Sequence, residues 1–209
     1  MTAELRPITG VRESLEDLSG TITEYSYITP TEETMRDLTH VLFEEHWKDI
    51  VVGPCIEGAV FEIRFAEAPK KVSVFDGYLT VDLGHWHFHL CIGPHKGTKS
   101  AELASKRRVA KLALFEMKGS KCMGGGSSYG LRLWNGFDEQ MTTVFLPNPK
   151  LSDDMKILKK PEWERLRLWY ELRHQFLGEP MPESFVPVSD ESMENTAWQE
   201  GTASELLYS

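Results

Sequence analysis

Residues 84–95 read Gly-His-Trp-His-Phe-His-Leu-Cys-Ile-Gly-Pro-His and hold four of the seven histidines of this 209-residue chain. Imidazole and apolar side chains alternate through the segment, and a period of two is that of a β-strand, in which alternate residues share a face. His85, His87, His89 and Cys91 are expected on one face, with Trp86, Phe88, Leu90 and Ile92 on the other, packed under helices. The first face is then a row of imidazoles ending in a thiol, groups that ligate borderline or soft metals and transfer protons near neutral pH.

Strand geometry limits what the row can do. At about 3.3 Å of rise per residue, i and i+2 neighbours lie about 6.5 Å apart and i and i+4 neighbours about 13 Å. Two imidazoles can reach one ion, but three on one flat strand cannot easily share it. A mononuclear site would take His85 with His87, or His87 with His89, and draw its third ligand from nearby chain, with Glu57, Glu62 and His95 as candidates. Asp82 has the parity of Trp86 in an unbroken strand, and only a bulge at Gly84 would turn it toward the histidines. Two other readings stand beside the metal. One is a metal-free pocket in which imidazoles and carboxylates act as acid and base on a small molecule. The other is simple solvent-facing alternation. Cys91 is expected to be a packing residue, and Cys55 and Cys122 make no better case for a nucleophile. His46 and Trp47 are expected to pack or cap, and His174 to sit in a last helical turn where a cation suits the dipole.

The flanking chain supplies the rest of an α+β fold. Thr29-Pro30-Thr31-Glu32 reads as a capped helix start, followed by Met35, Leu38, Val41, Leu42 and Trp47 near helical spacing, which predicts a helix over 30–48. Residues 55–65 and 72–75 read as strands, and Asp76-Gly77 turns the second into a strand over 78–83. Ser100 is placed to cap a helix running to about residue 118, and residues 119–130 form a glycine loop without a phosphate-binding signature. Asn135-Gly136 predicts a two-residue hairpin turn, and Pro161 opens a final helix that Gly178 stops. The expected fold is a single domain, an antiparallel sheet with helices packed on one face, followed by a disordered acidic C-terminal tail.

Charge excludes some functions and divides the chain. The formal charge is −9, which argues against binding nucleic acid or an anionic membrane surface. Residues 179–209 carry −7 with no Lys or Arg, and residues 1–24 carry −3, so residues 25–178 carry about +1. The expected organisation is a poorly ordered segment over 1–24, an α+β domain over 25–178 and a flexible acidic tail over 179–209. Three cysteines without CxxC spacing, no run of about 18 apolar residues and no leader pattern in the first residues make the cytoplasm the expected location.

The stretch VSVFDGYLTVDLGHWHFHLCIGPHKG, with GPCIEGAVFEI upstream and YGLRLWNGFDEQMTTVFLPNP downstream, resembles an uncharacterised family of bacterial proteins over about residues 45–178. The HxHxH strand followed by glycine and a further histidine is also similar to the stay-green magnesium dechelatases. That likeness spans about a dozen residues, with the last histidine one position later here. It implies a tetrapyrrole substrate and a site lined by His85, His87, His89 and His95.

The expected function is that of a small-molecule enzyme whose catalytic residues are His85, His87 and His89, a lyase or hydrolase if it depends on a metal. The expected cofactor is a divalent ion held by a set drawn from His85, His87, His89, His95 and Glu62. The alternative is a non-catalytic protein that sequesters a metal or ligand, or that recruits a protein partner through its acidic tail and Trp198.

Overall fold

Asp76 and Gly77 both take left-handed backbone angles, φ 47° and 75°, as a two-residue hairpin turn between right-twisted strands requires. Glycine is needed at 77 for a second reason, since a Cβ there would lie 2.3 Å from the Pro94 carbonyl oxygen. The structure is a computed structural model that describes residues 8–56, 59–97, 99–119 and 126–186. It contains antiparallel sheets and three α-helices, the α+β class that the sequence predicts. Among the described residues no helix is long and apolar enough to cross a membrane.

In chain order the strands are β1 (Arg12–Glu16), β2 (Ile22–Ile28), β3 (Val51–Gly53), β4 (Cys55–Ile56), β5 (Ala59–Val60), β6 (Ile63–Arg64), β7 (Lys71–Phe75), β8 (Tyr78–Asp82), β9 (His87–Cys91), β10 (Val109–Lys118), β11 (Ser128–Asn135) and β12 (Gln140–Phe145). The helices are α1 (Glu32–His40), α2 (Ala101–Arg107) and α3 (Arg167–Leu177). One sheet has seven strands in the order β1-β2-β10-β11-β12-β3-β6; β4 and β5 form a second, and β7, β8 and β9 a third.

The chain divides into two compact units. The first comprises the described residues within Met1–Val11, Ser26–Leu114 and Leu131–Phe145, and its fully buried side chains include Met35, Ile50, Leu79, Val81, Ile92, Leu112 and Leu131. The second comprises the described residues within Arg12–Tyr25, Phe115–Gly130 and Leu146–Ser209. There Tyr129 meets Trp169 with ring centroids 5.3 Å apart, and Tyr170 stacks on Phe185 at 5.5 Å.

Several elements differ from the sequence expectation. The first helix is capped by Thr31, whose Oγ1 accepts the Thr34 N–H at 3.0 Å, while Thr29 Oγ1 accepts the Ile8 N–H instead. It ends at His40 and continues as a π turn over Val41–Glu45. Residues 55–65 make three two-residue strands rather than one long one. Ser100 does cap α2, but the helix stops at Arg107 and the chain continues as β10. Leu112, Ala113, Leu114 and Phe115 are all fully buried, so the strand has an apolar run without alternation and its period does not separate strand from helix. Helix-favouring Ala, Leu and Met there are overridden by burial. Asn135-Gly136 opens a four-residue loop over 136–139, closed by a bond from the Asn135 N–H to the Glu139 carbonyl.

At the N-terminus, β1 and β2 lie within or begin in the segment expected to be poorly ordered. At the other end, Glu179 binds Arg173 at 2.8 Å and Phe185 is buried, so the first residues past α3 have fixed partners. The glycines Gly124 and Gly125 of the loop and residues 187–209 of the tail lie outside the described residues.

Candidate functional site

The three-stranded sheet is built by two hairpins, and its registers decide which side chains meet. β7 pairs β8 with Lys71 opposite Asp82, Ser73 opposite Thr80 and Phe75 opposite Tyr78. β8 pairs β9 with Asp82 opposite His87, Thr80 opposite His89 and Tyr78 opposite Cys91. Directly opposed residues share a face, so one face carries three rows: Lys71-Asp82-His87, Ser73-Thr80-His89 and Phe75-Tyr78-Cys91. The other carries Val72-Val81-Phe88 and Val74-Leu79-Leu90. Val81, Leu79 and Leu90 are buried, and Phe88 meets Phe43 with centroids 6.0 Å apart. Burial of the apolar face holds the register, because a one-residue slip would exchange the faces.

Asp82 joins the histidines through a break at Gly84, but the break is a chain reversal and not the bulge that the sequence offered. The strand is not continuous from 78 into the histidines; it reverses at residues 83–86, where Gly84 has φ 85° and the Leu83 N–H binds the Trp86 carbonyl at 2.9 Å. Asp82 therefore faces His87 from the neighbouring strand, with Oδ1 3.2 Å from Nε2. The same Oδ1 accepts the Gly84 N–H at 2.7 Å. That bond, chiefly, holds the Asp82 carboxyl below its ordinary value, with His87 and Lys70 adding to the effect. The carboxylate stays ionised well into the acid range and orients the His87 ring.

His89 is oriented by its own cross-strand partner, Thr80, whose Oγ1 lies 2.9 Å from Nδ1. The His87 and His89 ring centroids are 6.0 Å apart, the spacing expected for i and i+2 on a strand. Asp82 occupies Nε2 of His87 and Thr80 occupies Nδ1 of His89, which leaves Nδ1 of the first ring and Nε2 of the second for a ligand. The His87 side chain is 51% exposed, so this is an open sheet face.

The remaining predicted residues do not join the pair. His85 is exposed in the turn, and Trp86 beside it is 68% exposed rather than packed under helices. His95 follows β9 and rests its ring on Tyr78 at 5.1 Å. Glu62 is exposed ahead of β6, a strand that pairs with β3 in the seven-stranded sheet. Glu57 lies outside the described residues. Among the described residues no group of three or more His, Cys, Asp and Glu is already arranged around a metal position. Cys91 is buried, its thiol pushed up by burial and donating to the Gly93 carbonyl at 3.5 Å. Away from this sheet His46 faces Asp49 at 3.2 Å, and His174 Nδ1 meets the Glu179 carbonyl at 2.7 Å at the end of α3.

Thr80 is the partner that sequence reasoning missed, and Asp82 the one it tied to a break at Gly84. The signal for Asp82 is the Asp-Leu-Gly order, an acid whose side chain accepts the N–H two residues on and so marks a turn. Among curated proteins none matches the chain, so the likeness to the stay-green dechelatases rests on the short histidine pattern alone. Residues 12–178 match a family of unknown function, DUF7676, and the chain belongs to it.

Proposed function

We propose that this protein acts on a small molecule by proton transfer, with His87 as the transferring group, Asp82 as its positioning residue and His89 as the second imidazole. The observation that carries the reading is the Asp82–His87 pair at 3.2 Å beside the Thr80–His89 pair at 2.9 Å. A carboxylate beside Nε2 favours the tautomer protonated there, which leaves the lone pair on Nδ1 and makes His87 a base toward the ligand. With the rings 6.0 Å apart, one imidazole can take a proton from a ligand placed between them while the other returns one. His85 and His95 have no place in this pair.

The test is a screen of small metabolites by ligand-observed NMR, followed by turnover of each ligand found. General acid–base catalysis contributes about 10²- to 10⁴-fold, so His87→Gln should lose turnover on that scale and keep binding. Equal turnover in His87→Gln would remove the proposal. Binding without turnover in the parent chain would favour the non-catalytic ligand-binding alternative.

One observation favours a second reading, a divalent metal site. His87 and His89 stand at i and i+2 with a carboxylate across from the first, the two-imidazole set plus one oxygen that borderline ions accept. One nitrogen of each ring and a carboxylate oxygen of Asp82 would be the donors, once the His87 ring turns out of its present contact with Asp82. A metal-dependent lyase or hydrolase belongs to this reading. Its tetrapyrrole version is checked by incubation with chlorophyllide, where loss of magnesium changes the absorption spectrum.

A further inference from the structure

Arg12, Arg36, Arg165, Arg167 and Arg173 each meet a carboxylate at 2.6–2.9 Å. Arg107 and Arg108 meet none among the described residues. They stand where α2 passes into β10, and a single parallel bridge between Cys91 and Arg108 places them at the far end of the histidine strand. Arg107 and Cys91 both act on the Tyr78 hydroxyl, and both guanidinium groups act electrostatically on the Cys91 thiol. The Nε of Arg108 is buried and makes no hydrogen bond.

Two cations at one place need a counter-charge, and the local acids do not supply it. Burial pushes both the Tyr78 hydroxyl and the Cys91 thiol up, so both stay neutral at physiological pH. Glu32, whose Oε2 lies against Gly93, is engaged by Arg36 at 2.7 Å. Asp76 Oδ1 accepts the Lys96 N–H at 3.0 Å. Guanidinium groups present parallel N–H donors that match the paired oxygens of a carboxylate or phosphate.

We propose that Arg107 and Arg108, with the Tyr78 hydroxyl, hold the anionic group of the small molecule on which His87 and His89 act, a carboxylate or a phosphate ester. The proposal rests on the reading of those two histidines given above and adds the substrate class. Along β9, Cys91 is two residues from His89 and four from His87, about 6.5 and 13 Å. An anion at the arginines therefore sets the far part of a molecule about five bonds long over His89, and one about ten bonds long is needed to reach His87. His95, resting on Tyr78, borders the same end.

The test is calorimetric titration of the full chain with inorganic phosphate and, separately, with acetate, at fixed ionic strength so that screening is constant. Saturable binding of either probe is expected, and the stronger of the two identifies the anion. Arg107 is exposed, so Arg107→Gln should fold normally and weaken binding at least tenfold, the loss expected for a pair of charge-assisted hydrogen bonds. Arg108→Lys, which keeps the charge and loses the fork, should weaken it less. His87→Gln should leave it unchanged, which separates this test from that of the proton-transfer reading. Heats that rise without saturation, or an Arg107→Gln isotherm identical to that of the parent chain, would overturn the subsite. Binding that requires His87 and not the arginines would overturn it as well.

Discussion

Asp82 Oδ1 stands 3.2 Å from His87 Nε2 because Gly84 reverses the chain between them, and the same oxygen takes the Gly84 N–H at 2.7 Å. One residue thus closes the turn and aims the imidazole, which ties the chemistry of the face to the local backbone.

Gly84→Ala tests that dependence. At φ 85° an L side chain is strained, and its Cβ would approach Lys70 Nζ to 2.6 Å. The lysine can swing away, but the backbone cost of about 1–2 kcal/mol remains. The unfolding free energy should fall by that amount, seen as a lower urea midpoint with an unchanged slope. An unaltered midpoint would show that the turn does not hold this conformation.

How far the sequence revealed the site depends on whether the deciding interaction was local. The Asp76-Gly77 turn and the alternation of residues 87–91 are local signals, and both reappear in β7, β8 and β9. Gly84 was legible as a possible break, but not as a reversal, because parity arguments follow one strand and one turn residue exchanges the partners of every later side chain. β10 was hidden for a different reason. Its Leu112–Phe115 run is buried on both faces, and periodicity carries no information where nothing faces water. The placement of Arg108 beside Cys91 is a long-range contact with no local signature.

Asp82→Asn should alter the acid limb of stability. The folded carboxyl lies below its ordinary value of 3.8, so the ionised form is favoured by folding. Its contribution is complete above that ordinary value and is lost as pH falls through the lower folded one. Chemical denaturation should therefore show the largest difference between the parent chain and Asp82→Asn near neutral pH, and convergence at the acid end. In the same variant, ¹⁵N spectra of the His87 ring should lose the preference for a proton on Nε2. A difference that is constant with pH would contradict the carboxylate's role.

Asn135→Ala removes a hub of the β11–β12 loop. Asn135 is buried, its Nδ2 donating to the Lys106 carbonyl at 2.9 Å and to Glu139 at 2.8 Å, while its Oδ1 accepts the N–H groups of Phe137 and Glu139. Leaving a part-buried carbonyl and two loop N–H groups without their partner costs about 1–3 kcal/mol. Asn135→Asp keeps the acceptor and loses the donor, so it should fall between the parent chain and the alanine variant in denaturation midpoint.

Cys91 should resist modification in the folded chain. It is 3% exposed and its thiol is pushed above the ordinary value by burial, so little thiolate is available at pH 7.5. Alkylation with iodoacetamide, followed site by site by mass spectrometry, should mark Cys91 slowly in buffer and at least tenfold faster in denaturant. Rapid native labelling would place the thiol at the surface and would also undercut its neutrality beside Arg107 and Arg108.

Metal content separates the two readings of the histidine face. If His87, His89 and Asp82 hold a divalent ion, purified untagged protein should carry near one equivalent of a borderline metal, and His87→Ala and His89→Ala should each lose most of it. Ligands deprotonate on binding, so occupancy should also fall as the pH is lowered. His85→Ala, altering an exposed turn residue, should retain the metal. Trace metal in the parent chain, unchanged by zinc addition and dialysis, would leave the imidazoles free for proton transfer. Full metal content in His87→Ala would move the ion to another place and remove this face from the metal chemistry.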